Sequence, residues 1–232
     1  MPFSDETMEF LVQNRMEDSR AWFHEHHKEY QKYVIEPLRD LVMDLTPTML
    51  KIDDQFVVEP RVDRTISRIW RDTRFTKDPS LYRQNMWIIF KRDRMHSTEY
   101  PAMYFEVTPD RFFYGCGYYH ASPSFMRTLR EDVLANTSAF RAAQKAYRAQ
   151  DIFQLEGELY KRPHYPDQPA EIADWLERKE LGFYAESEDF DLLYSDRLGA
   201  KLAEDLAKIG PVYRFMLDVA IRENQQTRDK RF

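Results

Sequence analysis

The apolar positions change their period twice along the chain. In the first fifty residues they recur every three or four positions, the spacing of one helical face. Met8, Leu11 and Val12 make a first stripe, with Ser4 or Asp5 placed to cap it. Ser19 or Asp18 can cap a second, which carries Trp22, Phe23, His26, Tyr30, Tyr33 and Val34. Pro37 lacks the amide that a helix interior needs, so a kink or a fresh start is expected there. Leu38, Leu41, Val42 and Leu45 then keep the same period. The segment reads as two helices packed as a hairpin or a kinked rod.

After residue 55 the period shortens. Phe56-Val57-Val58 and Met86–Phe90 are β-prone runs. Residues 102–107 alternate, with Met103, Phe105 and Val107 on one face. Thr108-Pro109-Asp110 is a turn, and Arg111–Tyr118 returns as a strand. The pattern predicts an antiparallel hairpin over 102–118. Gly115 and Gly117 share one side of its second strand, where a helix or a ligand could approach the backbone.

Helical spacing then resumes. Ser122-Pro123 opens a helix carrying Phe125, Met126, Leu129 and Val133, ended by Asn136. Ser138 caps another through Phe140, Ala143 and Tyr147. Pro163, Pro166 and Pro169 mark 156–171 as a loop, and Leu181–Ala185 as one more strand follows it. Ser195 caps a helix with Leu198, Leu202, Leu206 and Ile209, closed by Gly210. Pro211 opens the last, with a polar tail from Arg222 that is expected to fray. The expected fold is α+β: a single domain over 1–232, with a mostly antiparallel sheet centred on the 102–118 hairpin. N-terminal, middle and C-terminal helices cover it.

Composition narrows the function classes. The 232 residues are 43% hydrophobic and 32% charged, a globular balance. No apolar run is long enough to span a membrane, and the acidic N-terminus lacks a secretory core, so neither a membrane nor a secreted location is expected. One cysteine, Cys116, excludes an internal disulfide and agrees with a reducing cytoplasm. A net charge of −6 argues against coating nucleic acid. The two common nucleotide-phosphate loops are absent, and no cofactor is expected. His24-Glu25-His26-His27 lacks a His-Glu-x-x-His spacing and a third ligand, so it reads as a polar helix face and no metal is expected. Cys116 has no base beside it and reads as a buried, inert thiol; His120, at the strand end, is a weak pocket candidate.

One segment stands apart. Between Arg61 and Arg94 lie eight Arg and two Lys against Asp63, Asp72, Asp78 and Asp93, a local +6 within a chain of −6. Its centre is Arg68-Ile69-Trp70-Arg71-Asp72-Thr73-Arg74-Phe75-Thr76-Lys77-Asp78. Guanidiniums this close repel unless carboxylates intervene or an anion binds. The functional reading is a phosphate or carboxylate clamp with forked Arg contacts, the competing one a structural Arg–Asp lattice. Lys161, Arg162 and His164 are further cations that the fold could bring to it.

Arg68-x-x-Arg71-Asp72-x-Arg74-Phe75-x-Lys77-Asp78, followed by Tyr82, resembles the signature of the domain of unknown function 2461 family. Trp22-Phe23 with His27-Lys28 and Tyr30, Gly115-x-Gly117, Leu129-Arg130, and Lys161-Arg162-Pro163 before Asp167 and Pro169 resemble other parts of that family, so the likeness covers nearly the whole chain. The family pattern Asp-Lys-x-Pro-Tyr-Lys is replaced here by Asp78-Pro79-Ser80-Leu81-Tyr82-Arg83, and the His of its Asp-His-Pro by Gln168. The resemblance implies no activity, because the family is uncharacterised.

Three readings follow. The first is a domain binding an anionic small molecule through Arg68, Arg71, Asp72, Arg74, Lys77, Asp78 and Tyr82. The second is an enzyme with Asp72 or Asp78 as acid/base beside the Arg clamp. The third is a module contacting a protein or single-stranded nucleic acid. The sequence leaves the oligomeric state open.

Overall fold

The computed structural model describes residues 2–75, 77–92, 100–118 and 120–229. Thr76, Asp93 and Arg94 of the basic segment lie outside the described residues.

Helix α1 (Asp5–Glu17) and helix α2 (Arg20–Glu25) start at the expected serines. The short α3 (His27–Glu29) runs into a π turn, Tyr30–Ile35, and that into α4 (Glu36–Ile52). The fresh start expected at Pro37 therefore takes the form of a widened turn. A proline at 37 deprives the Tyr33 carbonyl, four residues back, of its usual helical amide. The Thr7 hydroxyl of α1 donates to that carbonyl at 2.6 Å, so the break also fastens α1 to the rod.

The strands are β1 (Met86–Phe90), β2 (Ala102–Val107), β3 (Phe112–Gly117), β4 (Gln154–Glu156) and β5 (Gly182–Ser187). They lie in the order β1-β2-β3-β5-β4, antiparallel throughout, with the 102–118 hairpin in the middle. Between β3 and β4 come α5 (Pro123–Leu134) and α6 (Ser138–Arg148), and between β4 and β5 comes α7 (Ala170–Leu176). Helices α8 (Phe190–Leu193), α9 (Leu198–Lys208) and α10 (Gly210–Asp229) follow β5.

Register explains why the sheet has one closed side. Ile88, Phe105, Tyr114 and Ala185 fall in one cross-strand row, and Phe90, Met103, Cys116 and Phe183 in another. All eight are buried against the helices. On the other side Trp87, Ile89, Tyr104, Glu106, Phe113 and Tyr184 are half-exposed, and Glu156 and Glu186 are exposed. Alternation thus delivers an α+β fold with helices on one face.

Several local expectations change. What approaches the glycines is the neighbouring strand: a Cβ on Gly115 would stand 2.0 Å from the Phe183 carbonyl oxygen. Among the described residues Phe56–Val58 makes one bridge, Phe56 to Arg92, with the Val57 amide donating to the Lys91 carbonyl at 2.9 Å. A polar stretch does pair instead. The amides of Ser67 and Arg71 donate to Trp87 and Leu81 carbonyls, at 2.9 and 2.8 Å, and those of Ile89 and Arg83 return to Thr65 and Ile69. This irregular ribbon covers the outer edge of β1. Thr137, not Ser138, caps α6, and Ser195 donates to the Leu192 carbonyl at the end of α8 rather than capping α9. The 156–171 stretch holds the end of β4 and the start of α7. The tail stays helical to Asp229, with Arg222 forked onto Asp132.

Candidate functional site

The ribbon carries the first two arginines. Bridges Ile66–Ile88 and Trp70–Tyr82 tie it down, with Ile66 and Ile69 buried and Arg68 exposed. Arg68, Arg71 and Arg74 close on three different carboxylates. Arg68 Nε bonds Asp63, Arg71 Nη1 lies 2.7 Å from Asp78, and Arg74 forks onto Asp72 at 2.9 and 2.6 Å. The Arg74–Asp72 pair is a local device: it spans two residues and wraps the 3-10 turn Thr73–Phe75.

Asp78 is the point where distant parts of the chain meet. Its Oδ2 accepts from Arg15 Nη2 at 2.8 Å as well as from Arg71, and its Oδ1 accepts the Ser80 amide and hydroxyl at 3.0 and 2.5 Å. One turn beyond Arg15, Asp18 ends α1 in the left-handed region, at φ 43°, and its carboxylate accepts the Leu81 and Tyr82 amides at 2.7 and 3.2 Å. The C-terminal turn of α1 therefore clamps the far side of the loop. Arg15 is 63 residues from Asp78, and no local pattern announces the pair.

These contacts keep both loop carboxylates ionised. The Ser80 hydrogen bonds, then the Arg15 and Arg71 charges, hold Asp78 down to about 2. Hydrogen bonds from Arg74 hold Asp72 at about 2. A carboxyl that acidic anchors cations well and exchanges protons poorly near neutral pH. Lys77 is exposed beside Asp78. Tyr82 is fully buried, its ring 4.3 Å from Trp70 and 5.1 Å from Phe23, and burial pushes its hydroxyl up to about 12. It supports the loop from beneath.

The other candidates sit elsewhere. His26 stacks on Trp22 at 4.0 Å, and His27 meets the Phe23 ring edge-on. Among the described residues no group of three His, Cys, Asp or Glu could hold a metal. Cys116 is fully buried and its thiol is pushed up by burial. His120 is exposed beside Glu180. The 161–164 loop is held by Glu177, which accepts the His164 and Tyr165 amides.

Two buried carboxylates were not foreseen. Asp53, at the end of α4, accepts from Arg92 at 2.7 and 3.0 Å and from the Tyr213 hydroxyl of α10 at 2.7 Å. Asp205, on α9, accepts from Tyr114 of β3 at 2.9 Å and from Lys201 and Lys208 at 2.7 and 3.1 Å. Arg92 thus leaves the basic island for the core. Only the Lys201–Asp205–Lys208 spacing could have been read beforehand, as one helical face.

A family model described as "Conserved hypothetical protein (DUF2461)" matches residues 6–215. The chain belongs to the DUF2461 family. No curated protein and no solved structure matches it. The span that makes this a DUF2461 protein contains both halves of the Asp78 junction, α1 and the loop. Among the described residues no helix of this DUF2461 chain is long and apolar enough to cross a membrane.

Proposed function

We propose that this protein binds a small anionic molecule, bearing phosphate or carboxylate, over the Arg15–Asp78–Arg71 junction. The observation that carries the reading is one carboxylate oxygen shared by two guanidiniums that come from different elements. Each guanidinium has five donors, and Asp78 neutralises only one of the two charges. Both side chains are a quarter exposed, so their forks are fixed in direction yet within reach of solvent. Lys77, next to Asp78 in the chain, adds an exposed cation. The low carboxyl pKa of Asp78 supports binding over proton transfer, so it is the anchor and not the acid. The buried thiol suits a reducing cytoplasm.

Phosphate at matched ionic strength should raise the melting temperature more than chloride does. Saturation about a hundredfold above the dissociation constant adds roughly 2.7 kcal/mol, or about 2–4 °C per kcal/mol for a chain of this size. The double variant Arg15→Gln with Arg71→Gln should lose the phosphate-specific increment, while Arg68→Gln with Arg74→Gln keeps most of it. Retention of the full increment in the first variant overturns the reading and leaves a structural lattice.

A further inference from the structure

The turn that carries Arg15 ends against local preference. Asp18 closes α1 at φ 43° and ψ 38°, the left-handed region, where glycine is the usual residue and a Cβ crowds the backbone. Its amide donates to the Asn14 carbonyl at 3.2 Å, a bond that glycine would make equally well. A carboxylate also has the wrong sign for a helix C-terminus, where the backbone dipole favours cations. An aspartate here therefore gives α1 itself no bond that glycine would not. Its gain lies outside the helix. One carboxylate oxygen accepts the Leu81 and Tyr82 amides at 2.7 and 3.2 Å, 63 and 64 residues along the chain.

Helix and loop are thus tied at two points. Arg15 reaches Asp78, and three residues on, Asp18 reaches the backbone of Leu81. The first tie joins two side chains and keeps the freedom of a long arginine arm. The second runs from a short side chain to backbone, so it places the helix end. Leu81 then connects to the ribbon, because its carbonyl accepts the Arg71 amide at 2.8 Å. One residue thereby links the helix that carries Arg15 to the strand that carries Arg71, through its amide on one side and its carbonyl on the other.

We infer that Asp18 is a positioning residue for the anion site, setting the spacing of the Arg15 and Arg71 guanidiniums through Leu81. The inference rests on the anion-binding reading of the Asp78 junction and adds a coupling to it. Docking of the last turn of α1 favours an anion that takes both forks, and by linkage the anion holds the turn down.

Inorganic phosphate is the probe, with calorimetry for binding and amide exchange for docking. Saturating phosphate should slow exchange at Leu81 and Tyr82 in the intact chain about tenfold. Asp18→Gly keeps the helix end and removes both loop bonds. It should raise the phosphate Kd about tenfold, with the unfolding midpoint in chloride close to the original. Asp18→Asn tolerates the left-handed region and keeps an oxygen acceptor, so its Kd should stay within about threefold of the intact value. Both variants lose the same negative charge, so the difference between them reads position and not charge. A merely structural Asp18 would move the midpoint and leave the constant alone. Asp18→Gly binding as tightly as the intact chain overturns the inference. So does Asp18→Asn binding as weakly as Asp18→Gly, or exchange at Leu81 and Tyr82 that phosphate does not slow. The exchange measurement needs no variant, so it decides even if Asp18→Gly fails to fold. The anion reading survives each of these failures as long as Arg15→Gln with Arg71→Gln abolishes the phosphate increment. An intact chain that binds no phosphate overturns both.

Discussion

The ion pairs of the Arg68–Asp78 loop and those of Asp53 and Asp205 use the same groups in different surroundings. Arg74 and Asp72 are forked in good geometry, yet their side chains are 76% and 48% exposed. Asp53 and Asp205 are 2% and 0% exposed, and each accepts a tyrosine hydroxyl from another element. Water already solvates the loop charges, so pairing them changes little. The core carboxylates have left water, and only their partners make that tolerable. Density of charge along the sequence is therefore a poor guide to what holds the fold.

Removing a core carboxylate gives the largest expected effect. Asp53→Ala leaves the Arg92 guanidinium and the Tyr213 hydroxyl facing each other without an acceptor, at an expected loss of about 3–5 kcal/mol. Urea unfolding measures it. Asp53→Asn keeps an acceptor and should lose less. The pH dependence carries the same signature. Burial pushes the Asp53 carboxyl up, but the bonds from Arg92, Tyr213 and the Gln55 amide outweigh it and hold it below its ordinary value. A depressed folded pKa gives stability that is present above the unfolded value, about 4, and is lost as pH falls through the folded one. Acid unfolding of the native chain should steepen below about pH 4, and Asp53→Asn should flatten that limb. A small loss in Asp53→Ala, comparable to that of the loop variants, would break the comparison.

Asp205→Ala comes second. Lys201 and Lys208 are 43% and 37% exposed and can swing to water, so the group left stranded is the Tyr114 hydroxyl. A neutral donor orphaned in the core costs about 1–3 kcal/mol. A double variant with Tyr114→Phe removes the orphan and should recover part of that loss. Without recovery, the lysines would be the strained partners and the core pair would resemble Asp53 more closely.

What the sequence made legible divides along similar lines. The 102–118 hairpin shows in its alternation, because both strands and the turn are neighbours in the chain. The place of β5 between β3 and β4 does not, since Phe183 meets Cys116 across more than sixty residues. The ribbon over β1 was hidden because Thr65, Ser67, Arg68 and Arg71 read as polar loop; their pairing is satisfied by backbone, not by an apolar face. In the candidate site, the loop and its charge were visible locally, whereas Arg15 and Asp18 belong to a helix whose sequence gives no hint of its target. Single aspartates such as Asp53 carry no pattern at all, and only the packed structure shows their weight.

The Asp78 junction falls between the two regions and sharpens the contrast. Arg15 and Arg71 are each 25% exposed, and Asp78 is 37% exposed. Asp78→Asn should weaken the anchoring of α1 to the loop modestly, seen as faster amide exchange at Ser80. The global unfolding midpoint should move less than in either core variant. A shift as large as that of Asp205→Ala would make the junction a structural pin first.

Arg74→Ala is the smallest effect and the most direct check of the exposed end of the scale. The pair it breaks spans two residues, and both side chains already stand largely in water. The unfolding midpoint should not move measurably. The change should appear instead in the Asp72 carboxyl. Hydrogen bonds and charge from Arg74 hold that group at about 2, and without them it should rise toward the ordinary aspartate value. A carboxyl titration by NMR reads this residue alone. A rise in the Asp72 pKa with an unchanged midpoint means the pair tunes a surface charge without supporting the fold. A lost midpoint with an unchanged Asp72 would place Arg74 in the load of the loop, and the separation between exposed and buried pairs would no longer hold.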